Sequence, residues 1–214
     1  MATKGIFRVE CTACGESFDA DFWTVVRGDR DRDVKELILS GEFDLLMCPK
    51  CSAMIQHEEP FLYIDPPKDI LAFVMPESYE AEKEKWIGRL SADFEPVRAT
   101  LAGGQGISGE PLYLFGLGPL SALLENDRDR EEETEVMEFM AREDGLHLKP
   151  VKPAMARELN ILFSLPMQAG LTGRAAAVKA AEALYARNDA LPRLKKLLEV
   201  LGSLKDEGIP FIKN

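Results

Sequence analysis

Two matched pairs of cysteines constrain this chain more than any other feature of its sequence. The pairs are Cys11 with Cys14 and Cys48 with Cys51, and the chain has no other cysteine. In each pair the C-x-x-C spacing lets the backbone form a tight turn that presents two thiolates to one metal ion. Each pair follows a predicted strand, and a small residue follows each pair. The sequence therefore predicts one tetrahedral metal site with Cys11, Cys14, Cys48 and Cys51 as its ligands.

Zinc is the default metal for such a site, and the two knuckles are typical of a zinc ribbon. Iron in a rubredoxin-like centre would use the same four ligands, and the sequence does not distinguish the two metals. Unrelated thiols or a redox dithiol are less favoured, because two pairs share the same strand-turn arrangement. Four thiolates close the coordination shell, so we expect a structural rather than a catalytic zinc, whose binding free energy contributes to folding.

The 33 residues between the pairs exceed what a minimal zinc ribbon needs, and a short helix at residues 34–40 accounts for the excess. Asp33 is its expected N-cap, and Gly41 is placed to end it in a left-handed conformation. Alternating or apolar runs predict the strands around this helix. These strands cover residues 5–10, 17–26, 43–47, 53–57, 61–65 and 70–75, the last two forming a hairpin across a proline-rich turn.

From residue 76 the hydrophobic period becomes helical. Ser78 is the expected cap of a helix, residues 102–106 read as a glycine-rich connector, and residues 112–115 form a brief strand. Everything beyond residue 150 is predicted to be helical, with segments at 154–163, 174–185 and 191–204. The last two segments form a helical hairpin. The predicted fold class is α+β: a zinc-ribbon-like β-module with an inserted short helix, followed by helices and the C-terminal helical hairpin.

Residues 7–76 resemble the bacterial CpXC domain through several motifs that occur in order. These motifs are Arg8-Val9-Glu10-Cys11, Cys14-Gly15, Phe18 with Trp23-Thr24, Lys35-Glu36-Leu37, Ser40-Gly41-Glu42, Cys48-Pro49-Lys50-Cys51 and residues 60–66. Residues 112–120 resemble the downstream end of the same domain. The first cysteine pair departs from the pattern, since it lacks the proline that Pro49 supplies in the second. The resemblance implies a cytoplasmic bacterial protein with a metal site and no assigned activity. Together with the helical periodicity beyond residue 150, it predicts domains at residues 1–150 (CpXC-like) and 151–214 (helical).

The charge distribution disfavours nucleic acid as a partner. The net charge is −11, and residues 1–76 and 77–150 carry balances of −6 and −9, whereas residues 151–214 carry +4. An acidic surface repels a phosphate backbone. The chain starts without a basic-then-apolar signal sequence, and charges or prolines interrupt each apolar stretch. We therefore expect a cytoplasmic protein that does not enter a membrane.

Neither histidine is predicted to bind the metal. His57 follows Cys51 by six residues and could support or replace a ligand, but an ordinary strand histidine is favoured because four thiolates are available. His147 is expected in a solvated loop. No nucleophile and base form a recognisable catalytic motif, so an enzyme is the less favoured class.

Three further patterns have simple structural interpretations. The glycine-rich residues 103–109 lack the lysine and hydroxyl of a phosphate-binding loop. The dense charge run at residues 127–135 does not match a calcium loop and is predicted to be solvated. Arg193, Lys195 and Lys196 form the one local basic cluster, which a solvated helix face explains, although an acidic partner or the protein's own acidic region would also match it.

The sequence supports three hypotheses about function. The first is a non-enzymatic, zinc-stabilised module that binds other proteins, with the C-terminal helices as a candidate docking surface. The second is a nucleic-acid-binding zinc ribbon of transcription or translation, against which the acidic charge argues. The third is an enzyme whose site lies outside the zinc centre. The sequence leaves the oligomeric state open.

Overall fold

The computed structural model describes residues 3–105, 107, 109–204 and 208–212. They form two compact units, Met1–Leu124 and Glu125–Asn214. The strands are β1 (Thr3–Glu10), β2 (Ser17–Arg27), β3 (Leu45–Met47), β4 (Met54–Gln56), β5 (Phe61–Asp65), β6 (Ile70–Met75), β7 (Leu112–Phe115), β8 (His147–Pro150) and β9 (Ser164–Met167). The α-helices are α1 (Arg32–Ser40), α2 (Lys83–Gln105), α3 (Gly118–Glu143), α4 (Pro153–Glu158), α5 (Gly173–Arg187) and α6 (Pro192–Ser203).

A five-stranded mixed sheet organises the first unit. Its strand order is β1-β2-β5-β6-β7; β1 with β2 and β5 with β6 are antiparallel, whereas β2 with β5 and β6 with β7 are parallel. The predicted β5–β6 hairpin is confirmed, with a short 3-10 turn (Pro66–Lys68) and a left-handed Asp69 (φ 53°) reversing the chain. Apolar side chains from these strands, α1 and the start of α3 pack together into a core that includes Val26, Tyr63 and Leu120.

Helix α1 lies between the two cysteine pairs, as predicted. Gly41 has φ 75°, and its N–H donates to the carbonyls of Leu37 and Ile38, so the predicted left-handed end is confirmed. The predicted cap was wrong. The helix starts at Arg32, which places Asp33 in the first turn, where its negative charge still complements the helix dipole.

The glycine-rich residues 102–106 were predicted as a connector, and this was wrong for residues 102–105. Helix α2 continues through Gln105, because two glycines cost a helix only about 1 kcal/mol each relative to alanine and do not by themselves end it. Gly106 and Ser108 lie outside the described residues. A 3-10 helix (Glu77–Glu82) precedes α2, so the predicted start at Ser78 falls within that shorter helix.

The second unit combines a two-stranded sheet with helices. Strands β8 and β9 pair antiparallel, and helices α5 and α6 form the predicted hairpin. Arg174 at the start of α5 donates to the carbonyl of Leu201 near the end of α6, so the two helices run antiparallel. Buried side chains from α3, α4, β9, α5 and α6 form this unit's core.

The prediction of helix throughout residues 151–214 was wrong for β9. Helix α4 ends at Glu158, and Asn160 takes a left-handed conformation (φ 51°) that turns the chain into a buried extended segment. His147 lies in β8 opposite Met167, not in a loop. The predicted domain boundary after residue 150 falls within this unit, between β8 and α4, and stays a prediction.

Candidate metal centre

The two cysteine pairs lie in the turns of two β-hairpins. Cys11 and Cys14 are in the turn between β1 and β2, and Cys48 and Cys51 are in the turn between β3 and β4. The two turns repeat the same backbone hydrogen bonds. The N–H of Cys11 donates to the carbonyl of Glu16 at 2.7 Å, and the N–H of Cys48 donates to the carbonyl of Ala53 at 2.9 Å.

The residue after each pair has a left-handed backbone and closes the turn. Gly15 (φ 70°) and Ser52 (φ 59°) each donate the backbone N–H to the carbonyl of the first cysteine, at 2.8 and 3.0 Å. Glycine adopts this conformation without steric cost, whereas for serine it costs a small amount of free energy. Two equivalent knuckles therefore form from different sequences.

The four sulfur atoms converge on one point. They all lie within 4.8 Å of one another, and the distances are 3.7 Å for Cys11 to Cys51 and for Cys14 to Cys48. A tetrahedral zinc with bonds of about 2.3 Å would hold its sulfur ligands about 3.8 Å apart. A disulfide would need about 2.05 Å, and all four cysteines are free. The donor set and its spacing therefore fit a metal ion.

Each knuckle presents one buried and one exposed thiol. Cys11 and Cys48 are buried against Ile55 of β4, whereas Cys14 and Cys51 face solvent. Lys50 in the second knuckle donates to Glu16 at the end of the first, with Nζ 2.8 Å from Oε2. The two turns are thus joined by an apolar contact on the inside and by an ion pair on the outside.

Electrostatics within the cluster favour a bound cation. The backbone amides of Cys51 and Lys50 lower the pKa of Cys48 to about 7. For Cys14, the amide of Glu16 acts to lower the pKa, but desolvation and hydrogen bonds with the other three thiols outweigh it and raise the pKa to about 12. Four crowded thiols resist losing all their protons unless a positive charge compensates the thiolates.

His57 takes no part in this cluster. Its Nε2 is 2.9 Å from Glu59 Oε1, and its ring contacts Phe22 with centroids 5.0 Å apart. Among the described residues, only the four cysteines form a group of three or more side chains that could hold a metal ion. The interpretation of His57 as a residue other than a ligand agrees with this geometry.

A cleft near His57 contains polar groups that the sequence did not reveal. Its lining is Phe43, Asp44, Gln56, His57, Glu58, Glu59, Phe61, Val74, Met75, Pro76, Gly116 and Leu117. Burial raises the pKa of Asp44 to about 7. The charges of His57 and Lys4 act to lower this pKa, and the charge of Glu59 acts to raise it. Asp44 has a left-handed backbone (φ 57°). Aspartate tolerates this conformation, but the presence of an aspartate in a sequence does not predict it.

The charge run at residues 127–135 was predicted to be solvated, and this was wrong for its inner face. Asp127 and Arg130 on α3 are only 2% and 3% exposed. Arg130 donates to Asp127 at 2.7 Å and to the Ile161 carbonyl at 3.0 Å, and Arg157 of α4 donates to Asp127 at 3.0 Å. These buried charges form a network that connects α3 with α4 and the segment after it.

The three basic residues of the α6 cluster, Arg193, Lys195 and Lys196, differ in burial and in their charged partners. Arg193 pairs with Glu133 of α3, with Nη1 3.1 Å from Oε2, so its partner is an acidic residue of this protein. Glu133 also accepts the N–H of Leu194 at 3.2 Å and thereby satisfies a backbone donor in the first turn of α6. Lys195 and Lys196 are exposed, and Lys196 pairs with Glu199.

Comparison with known families identifies a family for the N-terminal part of the chain. Residues 9–107, which contain all four cysteines, match the model of the CpXC protein family. The matched segment ends before residues 112–120, where the sequence also resembled the family. No similar curated protein and no similar solved structure was found. In the described part of the chain, none of the helices has the length and apolar character needed to cross a membrane.

Proposed function

We propose that this chain, whose residues 9–107 match the CpXC family model, is a protein-interaction module stabilised by a structural zinc ion. Cys11, Cys14, Cys48 and Cys51 would be the zinc ligands. The observation that carries the proposal is the convergence of four thiols from two separate hairpins. A metal ion on these thiols would crosslink β1–β2 with β3–β4 and would make metal binding part of folding.

The donor set supports a structural rather than a catalytic role. A catalytic zinc keeps a position open for water, whereas four thiolates fill a tetrahedral shell and leave a charge of about −2 on the centre. Zinc is the expected metal because structural sites with this ligand set are common, and iron is the alternative for the same thiolates.

The exposed surface of the second hairpin supports a role in protein interaction. Leu45, Met47 and Met54 are large apolar side chains that face solvent on this hairpin. The sequence instead suggested the C-terminal helices as the docking surface. The described parts of α5 and α6 expose no large apolar side chain, so the hairpin is the stronger candidate.

The two alternative functions have less support from the site. Residues 1–124 contain 12 basic and 21 acidic side chains, and this charge opposes binding to phosphates. An enzyme would centre on the cleft beside Asp44, but His57 there pairs with Glu59, and Glu58 accepts the Glu77 N–H at 2.8 Å. These side chains already serve the fold.

Metal analysis and affinity capture test the proposal. We expect one zinc per chain in protein purified without added metal, and loss of the folded first unit when a chelator removes it. Capture from a lysate should then recover a specific protein with the zinc-loaded chain but not with the chelated chain. Absence of metal, or iron with a reversible redox signal, would contradict the structural zinc; recovery of no specific protein would contradict the interaction role.

A further inference from the structure

The β3–β4 hairpin has two apolar faces, and only one of them is covered. Met47 is paired with Met54 across the hairpin, and Leu46 is paired with Ile55. Leu46 and Ile55 pack against the buried cysteines. Because side chains alternate along a strand, Met47 and Met54 point to the opposite face, where they are 63% and 59% exposed.

Leu45 extends this exposed face by a third apolar side chain, which is 41% exposed. We call Leu45, Met47 and Met54 the outer hairpin face. The hairpin that carries it is short, with three residues in each strand, but its turn is closed by the Cys48 N–H donating to Ala53 at 2.9 Å. A metal ion on the cysteines would hold this turn rigidly, so the outer hairpin face would be presented in a fixed geometry.

The size of the outer hairpin face argues against a second copy of the chain as its occupant. A stable dimer buries about 800 Å² on each partner. Three partly exposed side chains supply only a fraction of that area. They match instead the apolar stripe of a single amphipathic helix, whose residues at i, i+3, i+4 and i+7 lie on one side.

Chemistry and charge narrow the partner further. Methionine is flexible and polarisable, so a methionine pair can adapt to the leucine or isoleucine side chains of a helix. The unit that carries the face is acidic, with 12 basic and 21 acidic side chains in Met1–Leu124. A helix with basic residues beside its apolar stripe would therefore be attracted, and an acidic one repelled.

From these observations we infer that the outer hairpin face binds a basic amphipathic helix of a partner protein. The inference rests on the proposed function and names the surface and the chemistry of the partner. Apolar contacts to Met47, Met54 and Leu45 provide the binding area, and the net negative charge of the first unit selects the charge of the helix.

Two synthetic peptides test the inference on the zinc-loaded full chain. Both are amphipathic helices of about 18 residues, or five turns, with the same leucine stripe; one has lysine and the other glutamate at the remaining positions. Binding is measured by fluorescence anisotropy of labelled peptide. We expect the lysine peptide to bind, more weakly at higher salt, and the glutamate peptide to bind at least tenfold more weakly.

Paired variants locate the binding surface. Met47→Gln combined with Met54→Gln should raise the Kd of the lysine peptide at least tenfold. The matched control is Val136→Gln with Phe139→Gln, which removes two exposed apolar side chains from α3 and should leave the Kd unchanged. Zinc content reports whether the first unit of the hairpin variant remains folded, and far-ultraviolet circular dichroism reports whether the helices of the control variant do. Leu45→Gln, which is further from Cys48, replaces the double variant if that variant loses metal, and should also raise the Kd.

The outcomes separate this inference from the proposed function. Failure of the lysine peptide to bind, equal binding of both peptides, or equal Kd values for the hairpin variant and the wild type would overturn the inference. If a lysate partner is still captured by the hairpin variant, the interaction role stands while the assigned surface is wrong. If the wild type captures no partner at all, the proposed function itself fails.

Discussion

Replacing Arg130 by methionine tests the buried charge network of α3. The Arg130 side chain is 4% exposed, and its guanidinium donates to Asp127, Asn160 and the Ile161 carbonyl. Methionine keeps much of the side-chain length but removes every donor, so Asp127 is left with Arg157 as its charged partner. Removing one member of a buried ion pair lowers the free energy of unfolding by about 3–5 kcal/mol. Because Arg157 still compensates the charge of Asp127, we expect a loss near the lower limit, about 3 kcal/mol.

Urea unfolding followed by far-ultraviolet circular dichroism measures this loss. With an m value of about 2 kcal/mol/M, a loss of 3 kcal/mol lowers the midpoint by roughly 1.5 M. Circular dichroism is needed because both tryptophans, Trp23 and Trp86, lie in the first unit, so their fluorescence reports on that unit. The helices of the second unit contribute to the dichroism signal.

Arg128→Met is the matched control, since Arg128 is two residues away on the same helix and is exposed. Substitution of an exposed side chain is expected to change the free energy of unfolding by less than about 0.5 kcal/mol. If Arg130→Met shifted the midpoint no more than Arg128→Met does, the charge run would be solvated, as its composition suggests, and the argument from burial would be refuted.

Three other changes have clear expected results. Chelation of the metal should lower the urea midpoint measured by tryptophan fluorescence, and re-addition of zinc should restore it; an unchanged midpoint would mean that the metal does not stabilise the first unit. Burial raises the pKa of Asp44 from 3.8 to about 7, so the folded state holds this proton more tightly and loses stability as the pH rises from about 4 to 7. Asp44→Asn should therefore stabilise the protein at pH 8 and change its stability little at pH 4. Asp69→Asn, also at a left-handed position, controls for the backbone preference of asparagine. A pH-independent effect of Asp44→Asn would contradict the burial argument. Gly28→Ala would place a Cβ 2.0 Å from the Tyr63 hydroxyl and should lower the free energy of unfolding, measured by chemical denaturation, by about 1–3 kcal/mol. The Cβ of Gly88→Ala, on an α-helix, would meet no atom within 4 Å, and this variant should raise the free energy of unfolding by about 0.5–1 kcal/mol. Similar effects of the two variants would refute the steric argument.

Local patterns in the sequence determined the parts of this protein that depend on near neighbours along the chain. The C-x-x-C spacing and the small residues after it predicted the two turns that bring the thiols together. Gly41 predicted the end of α1, and the apolar runs around a proline-rich turn predicted the β5–β6 hairpin. In each case the physical cause acts over a few residues, through backbone conformation or side-chain alternation.

Tertiary structure alone decided which charged and polar residues are buried. Asp127, Arg130 and Thr134 recur at helical spacing on one side of α3, but a run of charges on a helix is normally solvated. Their burial depends on Arg157 and on the Phe163 N–H, which donates to Thr134, and both of these groups lie about thirty residues further along the chain. Periodicity identifies a face of a helix, but not the partner that covers it.

The same limit applies to β9 and to Asp44. The segment Ser164–Met167 is a strand because β8 supplies its hydrogen-bonding partner, and its own four residues carry little propensity to decide the matter. Asp44 has a raised pKa because residues from distant parts of the chain exclude water from it. Spacing along the chain determined the candidate metal ligands, whereas burial and pairing, which depend on contacts between distant segments, were decided only by the folded chain.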